Sequence, residues 1–410
     1  MTANDIPQRE CEAIERRALA AFERARADGL RRPARVEFGV GAMERLTRLL
    51  PAAPPAVAAL LTESAPYARD LEERARALLE RAGFRVARVS VAAGEPTAES
   101  VRAAVTIARA ARPAIVVAAG GGSVIDTGKA VAALAVNDGD VEEYLEGHDS
   151  PRALERDPLP CAAIPTTAGT GAEMTRNAVI GLPVQGVKRS LRDDRLVPRL
   201  AIVDPSLTVA LPRGPTAAGG MDALTQLIES CISTKRKPPA TALALAALPG
   251  VRRALPRCCE TPGDLGARAA MSFAASASGV SLANAGLAMA HGYAAALGAA
   301  AGLPHGVACA ILLPHALRYN RDACPDELAA ALAAFLGTEE RGAAAIDRGI
   351  AEIEALNARM GIPPDLKHLR LAPDRAERIA DLAAGSSMSG NPVPLNADPD
   401  ARRRFLAALV

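Results

Sequence analysis

The chain has 410 residues, 50% of them hydrophobic, and its 48 basic and 46 acidic side chains leave a net charge of +2. That balance argues against nucleic acid or an anionic membrane as the main partner. The length calls for two domains rather than one. With no Trp and an apolar fraction dominated by Ala, the composition favours close-packed helices over aromatic-rich sheets.

In chain order, residues 10–30 read as an amphipathic helix rich in Ala, Glu and Arg, so residues 1–35 are expected to form a helical extension or an oligomer contact. The first residues are partly acidic and have no apolar core of the secretory type. From Val36 the pattern changes to short apolar strands, expected at Val36–Val40, Val57–Thr62, Phe84–Val91, Ile115–Ala119, Cys161–Ile164 and Ala201–Val203. Helical stretches at Ala65–Ala82 and Ala98–Ala111 fall between them. This alternation predicts a parallel sheet with helices on its faces over residues 36–207. After Asp204-Pro205 the strand signals stop. Residues 208–410 read as an all-helical domain, broken at Pro238-Pro239, Gly263, Pro304, Pro314 and Pro363-Pro364. A cleft between two such domains is a favoured place for a ligand.

Residues 269–317 contain no Asp, Glu, Lys or Arg. Ala and Gly dominate the stretch, Asn284 and the two candidate ligand histidines His291 and His305 interrupt it, and no strongly apolar run of spanning length occurs, so it predicts buried helices rather than membrane spans. The seven cysteines show no C-x-x-C pair, and Cys258 and Cys259 are adjacent. Reduced thiols in a cytoplasmic protein follow.

Three loops in the first domain carry chemistry. Glu63 closes an early strand, where an acidic side chain can bind ribose hydroxyls and repel a 2′-phosphate, or simply be solvated. The strand ending at Ala119 runs into Gly120-Gly121-Gly122-Ser123 and then a helix, an arrangement that lets backbone approach a phosphate at a helix N-terminus. It is neither the G-x-G-x-x-G fingerprint nor a P-loop. Ile164-Pro-Thr-Thr-Ala-Gly-Thr-Gly-Ala-Glu-Met-Thr175 follows another strand and supplies hydroxyls and open backbone. Glycine-rich turns also serve purely structural ends, but two such loops at strand ends of one sheet favour a dinucleotide.

In the second domain Asp222 and Gln226 are four residues apart and so share a helix face. His291 and His305 sit in uncharged apolar surroundings. One carboxylate, one amide oxygen and two imidazoles can hold a divalent transition metal, although a lone histidine on an apolar helix is more often a satisfied core residue. His148, His315 and His368 show no comparable partner.

GGGSVIDTGKA, IPTTAGTGAE, DPSLTVALP, GMDALTQLIES, PHGVACAILLPHALRYN and Gly390-Asn-Pro392 together resemble the signatures of the iron-containing (group III) alcohol dehydrogenases, in order, over roughly residues 36–400. The resemblance implies the dehydroquinate synthase-like fold: an α/β N-terminal dinucleotide-binding domain with a parallel sheet, and an all-α C-terminal domain. It makes Gly121, Gly122, Ser123, Asp126, Thr166, Thr167, Thr170, Thr175, Asn177 and Lys188 cofactor contacts. Glu63 becomes the residue that favours NAD over NADP. Asp222, Gln226, His291 and His305 fall on the ligand positions for Fe2+ or Zn2+, with Asp222, His291 and His305 carrying the catalysis. A small aldehyde or alcohol is the expected substrate, and a homodimer or larger homo-oligomer the expected assembly. Two positions depart from the family pattern. Gln226 stands where a His is usual, and Ala295 stands where many members carry a second His that relays the alcohol proton. The leading expectation is a metal-dependent NAD(P)-linked alcohol dehydrogenase or aldehyde reductase. The alternatives are a metal-free, maleylacetate-reductase-like oxidoreductase and a non-catalytic nucleotide-binding protein.

Overall fold

The computed structural model describes residues 5–50 and 56–410. The chain forms two compact units. One takes the chain up to Phe22, Arg31–Thr167 and Ala172–Thr208; the other takes Glu23–Leu30, Ala168–Gly171 and Val209–Val410.

The first unit begins with α1 (Asp5–Ala27), whose residues from Glu23 onward are counted with the second, and β1 (Arg35–Phe38), then α2 (Leu46–Leu49), β2 (Ala56–Glu63), α3 (Arg69–Arg81), β3 (Phe84–Val91), α4 (Ala98–Ala111), β4 (Ile115–Gly120) and α5 (Gly122–Leu134). It ends with β5 (Cys161–Pro165), β6 (Asn177–Leu182), β7 (Val187–Arg192) and β8 (Leu200–Val203). Six strands form one parallel sheet in the order β1-β8-β5-β4-β2-β3. The central strands are apolar on both sides, as a sheet covered on both faces requires. Ala59, Leu61, Val116, Ala118 and Ala163 pack on one face with residues of α4 and α5. The alternate residues Ala58, Leu60, Val117, Ala119 and Ile164 pack on the other with α2 and α3. Thr97 and Ser100 exchange side-chain and backbone hydrogen bonds in a capping box that starts α4.

Residues 1–4 of the expected extension lie outside the described residues. The rest of its helix is anchored: Ala18 and Phe22 are buried, and Glu15 pairs with Arg45 at 3.4 Å. β6 and β7 form an antiparallel hairpin that sequence reading did not anticipate. Their alternation is masked by Lys188, Arg189 and Arg192, which make β7 look like a polar loop.

The second unit holds α6 (Arg213–Ile232), α7 (Pro238–Glu260), α8 (Leu265–Ala285), α9 (Met289–Ala301), α10 (His305–Asn320), α11 (Pro325–Leu336), α12 (Gly342–Met360), α13 (Pro373–Leu382) and α14 (Pro399–Ala407). Every residue of α6 from Gly220 to Ile232 is buried, which a helix surrounded on all sides requires. Among the described residues no single helix is long and apolar enough to cross a membrane. Pro314, expected to break a helix, lies inside α10. Proline there removes the donor that would have served the Ala310 carbonyl. Asn357 Nδ2 donates to that oxygen at 2.7 Å instead, so the helix continues.

Candidate metal centre and nucleotide loops

In the first unit Glu63, Gly121 and Thr166 come at the C-terminal ends of the neighbouring strands β2, β4 and β5. The chain runs outward from β2 to β3, then returns to the other side of β2 for β4, so the strand order reverses between β2 and β4. Open α/β sheets bind ligands at such a reversal, beyond the C-terminal strand ends. Gly121 is the N-cap of α5, with Gly122 and Ser123 in the first turn, where unpaired N–H groups attract anions. Thr166 N–H donates to Gly120 O at 3.0 Å, which ties the two loops together. The Thr167 methyl lies 3.4 Å from where a Cβ on Gly121 would stand. Glu63 accepts from the Tyr67 hydroxyl, whose pKa this carboxylate pushes up to about 12.

The other expected cofactor residues are placed differently. Asp126 pairs with buried Lys129 at 2.8 Å and accepts from Val179 N–H at 2.9 Å. Lys129 Nζ also donates to Thr175 Oγ1 at 2.9 Å, to Ala172 O at 3.0 Å and to the Asn177 carbonyl. Asp126, Thr175 and Asn177 thus brace the start of β6 around the buried Lys129 side chain, whose polar end finds these partners in place of water. Lys188 Nζ pairs with Glu95 at 2.5 Å. Thr170 is exposed, between two glycines that serve packing. A Cβ on Gly169 would stand 2.9 Å from Gly219 Cα, and one on Gly171 (φ +62°) 2.4 Å from Ala275 O.

In the second unit α6, α9 and α10 bring Asp222, His291 and His305 together. His291 Nε2 lies 3.1 Å from Asp222 Oδ1, and His305 Nε2 lies 3.8 Å from the same oxygen. Asp222 and His291 are buried, whereas the His305 side chain keeps 33% of its exposure. Gln226 also sits here, but its Nε2 donates to Asp222 Oδ1 at 3.3 Å and its Oε1 accepts from Ser278 at 3.0 Å. Its carbonyl oxygen is therefore engaged by a hydroxyl and its amide steadies the aspartate. Ala295 is exposed on α9. His315, in contrast, bonds the Pro364 carbonyl at 2.9 Å.

Sequence reading missed three contributors. Glu229 is buried one turn beyond Gln226, and its Oε2 lies 2.7 Å from His291 Nδ1. Its carboxylate also accepts from the backbone N–H groups of Ala288 at 3.1 Å and Ala290 at 2.7 Å, at the N-terminus of α9. Cys309 is buried one turn beyond His305, with Sγ 3.7 Å from His305 Nε2. Asn391, of the Gly-Asn-Pro motif, accepts from Met289 N–H at 3.2 Å and exchanges side-chain bonds with Asn320, fixing the entry to α9. The spacing of Asp222, Gln226 and Glu229 at i, i+4 and i+7 was the signal that could have found Glu229.

The donor set fits a divalent cation. With Nδ1–H donating to Glu229, His291 turns its lone-pair nitrogen onto a carboxylate oxygen, an apposition of two acceptors that favours a cation between them. Burial opposes charge on Asp222, but His305 and His291 hold its carboxyl below the ordinary value. Burial also opposes protonation of His291, yet Cys309, Asp222 and Glu229 outweigh it and hold the imidazole well above its usual pKa. The surroundings thus favour positive charge at this point.

Comparison with known proteins agrees with both halves. Residues 33–205 match the family model described as iron-containing alcohol dehydrogenase, and residues 216–399 match that of the C-terminal part of the Fe-containing alcohol dehydrogenase family. Alcohol dehydrogenase 4 of Saccharomyces cerevisiae is 33% identical over 348 residues, covering 84% of this chain and 89% of that protein. The NAD-dependent methanol dehydrogenase of Bacillus methanolicus is 33% identical over 326 residues, covering 79% and 84%. The crystal structure of a 1,3-propanediol oxidoreductase superposes with a TM-score of 0.84 at 30% identity, covering 93% of this chain and 99% of that one.

Proposed function

The chain belongs to the iron-containing alcohol dehydrogenase family, and from that premise we propose that it is a metal-dependent, NAD-linked alcohol dehydrogenase or aldehyde reductase acting on small substrates. The observation that carries the reading is the convergence of Asp222, His291 and His305 donor atoms in one cluster, with Asp222 and His291 buried and His305 partly exposed. These three residues would hold Fe2+ or Zn2+, and the bound metal supplies Lewis acidity toward an alcohol or carbonyl oxygen. NAD supplies the hydride acceptor, or NADH the donor.

The chain's own residues prepare that chemistry. Glu229 fixes the His291 tautomer so that Nε2 keeps its lone pair. The line Ser278–Gln226–Asp222 holds the aspartate carboxylate in place. Gly121, Gly122 and Ser123 offer the α5 N-terminus to the cofactor diphosphate, with Thr166 and Thr167 beside it. Glu63 takes the ribose hydroxyls and disfavours a 2′-phosphate. With Ala295 one turn beyond His291, no ionisable side chain there takes the alcohol proton, which leaves to solvent. No two of the seven cysteines are joined in a disulfide, which supports a reducing compartment, the cytoplasm.

The test is metal content by mass spectrometry, combined with NADH oxidation against short aldehydes before and after chelation. Near-stoichiometric metal is expected, with activity lost on chelation, restored by metal, and abolished in Asp222→Asn and His305→Ala. Metal-free protein with undiminished activity would transfer the chain to the metal-free reductases.

A further inference from the structure

Gln226 leaves a place that another side chain fills. Its oxygen accepts from Ser278 at 3.0 Å while its Nε2 donates to Asp222 at 3.3 Å, so the amide turns its nitrogen rather than its oxygen toward the aspartate. Cys309 Sγ, by contrast, belongs to a group with Asp222, His291 and His305 in which the donor atoms all lie within 4.8 Å of one another. Cys309 follows His305 by four residues on α10, so both side chains project from one face of the helix. Ligands at about 2.0–2.3 Å from a shared tetrahedral centre stand about 3.3–3.8 Å apart. The separations of His305 Nε2 from Cys309 Sγ, 3.7 Å, and from Asp222 Oδ1, 3.8 Å, match that spacing.

We propose that Cys309 is the fourth protein ligand of the metal, bound as a thiolate in place of the side chain at position 226. This rests on the metal-dependent reading above. As the sulfur–metal bond forms, the thiol proton is released to solvent, with no change of oxidation state. Two consequences follow from the chemistry of the donor. The thiolate and Asp222 together neutralise a divalent cation, with both imidazoles neutral. A soft sulfur donor also shifts selection toward zinc and away from the hard metals that an oxygen and nitrogen set accommodates.

The test uses full-length protein, stripped of metal and reloaded with Co2+ alone, with bound cobalt quantified by mass spectrometry. Wild type is expected to show an intense thiolate-to-cobalt charge-transfer band in the near ultraviolet beside the visible cobalt bands. Cys309→Ser and Cys309→Ala should lose the ultraviolet band and keep the visible ones. Wild-type protein that binds cobalt, shows visible bands and lacks the charge-transfer band overturns the assignment while leaving the metal-dependent reading intact. Cys309 is then a thiol donating to His305. A charge-transfer band that survives in both variants overturns it as well, by assigning the sulfur to another cysteine. Wild-type protein that binds no cobalt overturns both readings together. Among the described residues Cys309 is the cysteine grouped with Asp222, His291 and His305, so the wild-type spectrum tests the assignment even if neither variant folds.

Discussion

Glu229 Oε2 lies 2.7 Å from His291 Nδ1, and the same carboxylate receives the Ala290 N–H at 2.7 Å. One buried acid therefore both sets the imidazole's tautomer and caps the helix that carries it. Glu229→Gln keeps the volume but replaces one acceptor oxygen with an NH2 donor. Metal affinity is expected to fall about 10- to 100-fold, the usual effect of removing a partner behind a ligating histidine. Glu229→Ala should also lower stability by about 0.5–2 kcal/mol through loss of the cap. Competition with a chromogenic chelator measures the first effect and thermal unfolding the second. Wild-type metal affinity in Glu229→Gln would reduce the carboxylate to a cap alone.

Gly306 follows His305 directly, and a Cβ added to it would stand 2.2 Å from Ala218 O on α6. That atom is backbone and cannot swing aside, so one helix must shift. Because Asp222 lies one turn further along α6, the shift separates His305 from Asp222. Gly306→Ala is expected to cost about 1–3 kcal/mol of stability, as overpacking does, and to lose bound metal although every donor atom is retained. Full metal occupancy in a folded Gly306→Ala protein would show that the close approach of these helices does not set the site.

The parts of this site legible in the sequence are those whose chemistry is concentrated in a few adjacent residues. The Gly120–Ser123 turn and Thr166-Thr167 announce themselves because each sits where an apolar strand ends. Asp222, His291 and His305 stand out because ionisable residues are rare in their apolar setting. Glu229 and Cys309 were harder to see. A glutamate in a helix is ordinarily a solvated surface group, and a cysteine among alanines is ordinarily core; only the folded helices show that Glu229 meets His291 and Cys309 meets His305. The same limit explains Asp126 and Thr175. Their motif suggested cofactor contact, and the fold adds a role that the motif does not show, as partners of the buried Lys129 side chain. Pro314 is the converse case, since nothing local reveals that Asn357, 43 residues on, will satisfy the carbonyl it leaves free.

Glu63 ends β2 beside the reversal in strand order, and the Tyr67 hydroxyl donates to it. If its negative charge disfavours a 2′-phosphate, Glu63→Gln should narrow the preference for NADH over NADPH. A change of about tenfold in the ratio of the two kcat/KM values corresponds to ~1.4 kcal/mol of discrimination. Steady-state kinetics with both cofactors measures it. An unaltered ratio would mean that cofactor choice is made elsewhere in the first unit.

Glu37 on β1 accepts from Arg45 at 3.1 Å and from Arg35 at 2.9 Å. Burial by itself would raise its pKa, but the hydrogen bonds from the two guanidinium groups outweigh burial and hold it below the ordinary glutamate value. A carboxyl whose folded pKa is depressed stabilises the fold fully above its unfolded pKa, about 4.3. The contribution disappears as pH falls through the folded value, because the proton then binds both states alike. Glu37→Gln cannot titrate, so its midpoint temperature is expected to lie below that of wild type at neutral pH. The gap should close progressively under acid conditions. Thermal unfolding of both proteins across a pH series starting near neutrality and ending below the unfolded glutamate pKa measures this. A gap that stays constant throughout would assign the loss in Glu37→Gln to packing rather than to the ion pairs with Arg35 and Arg45.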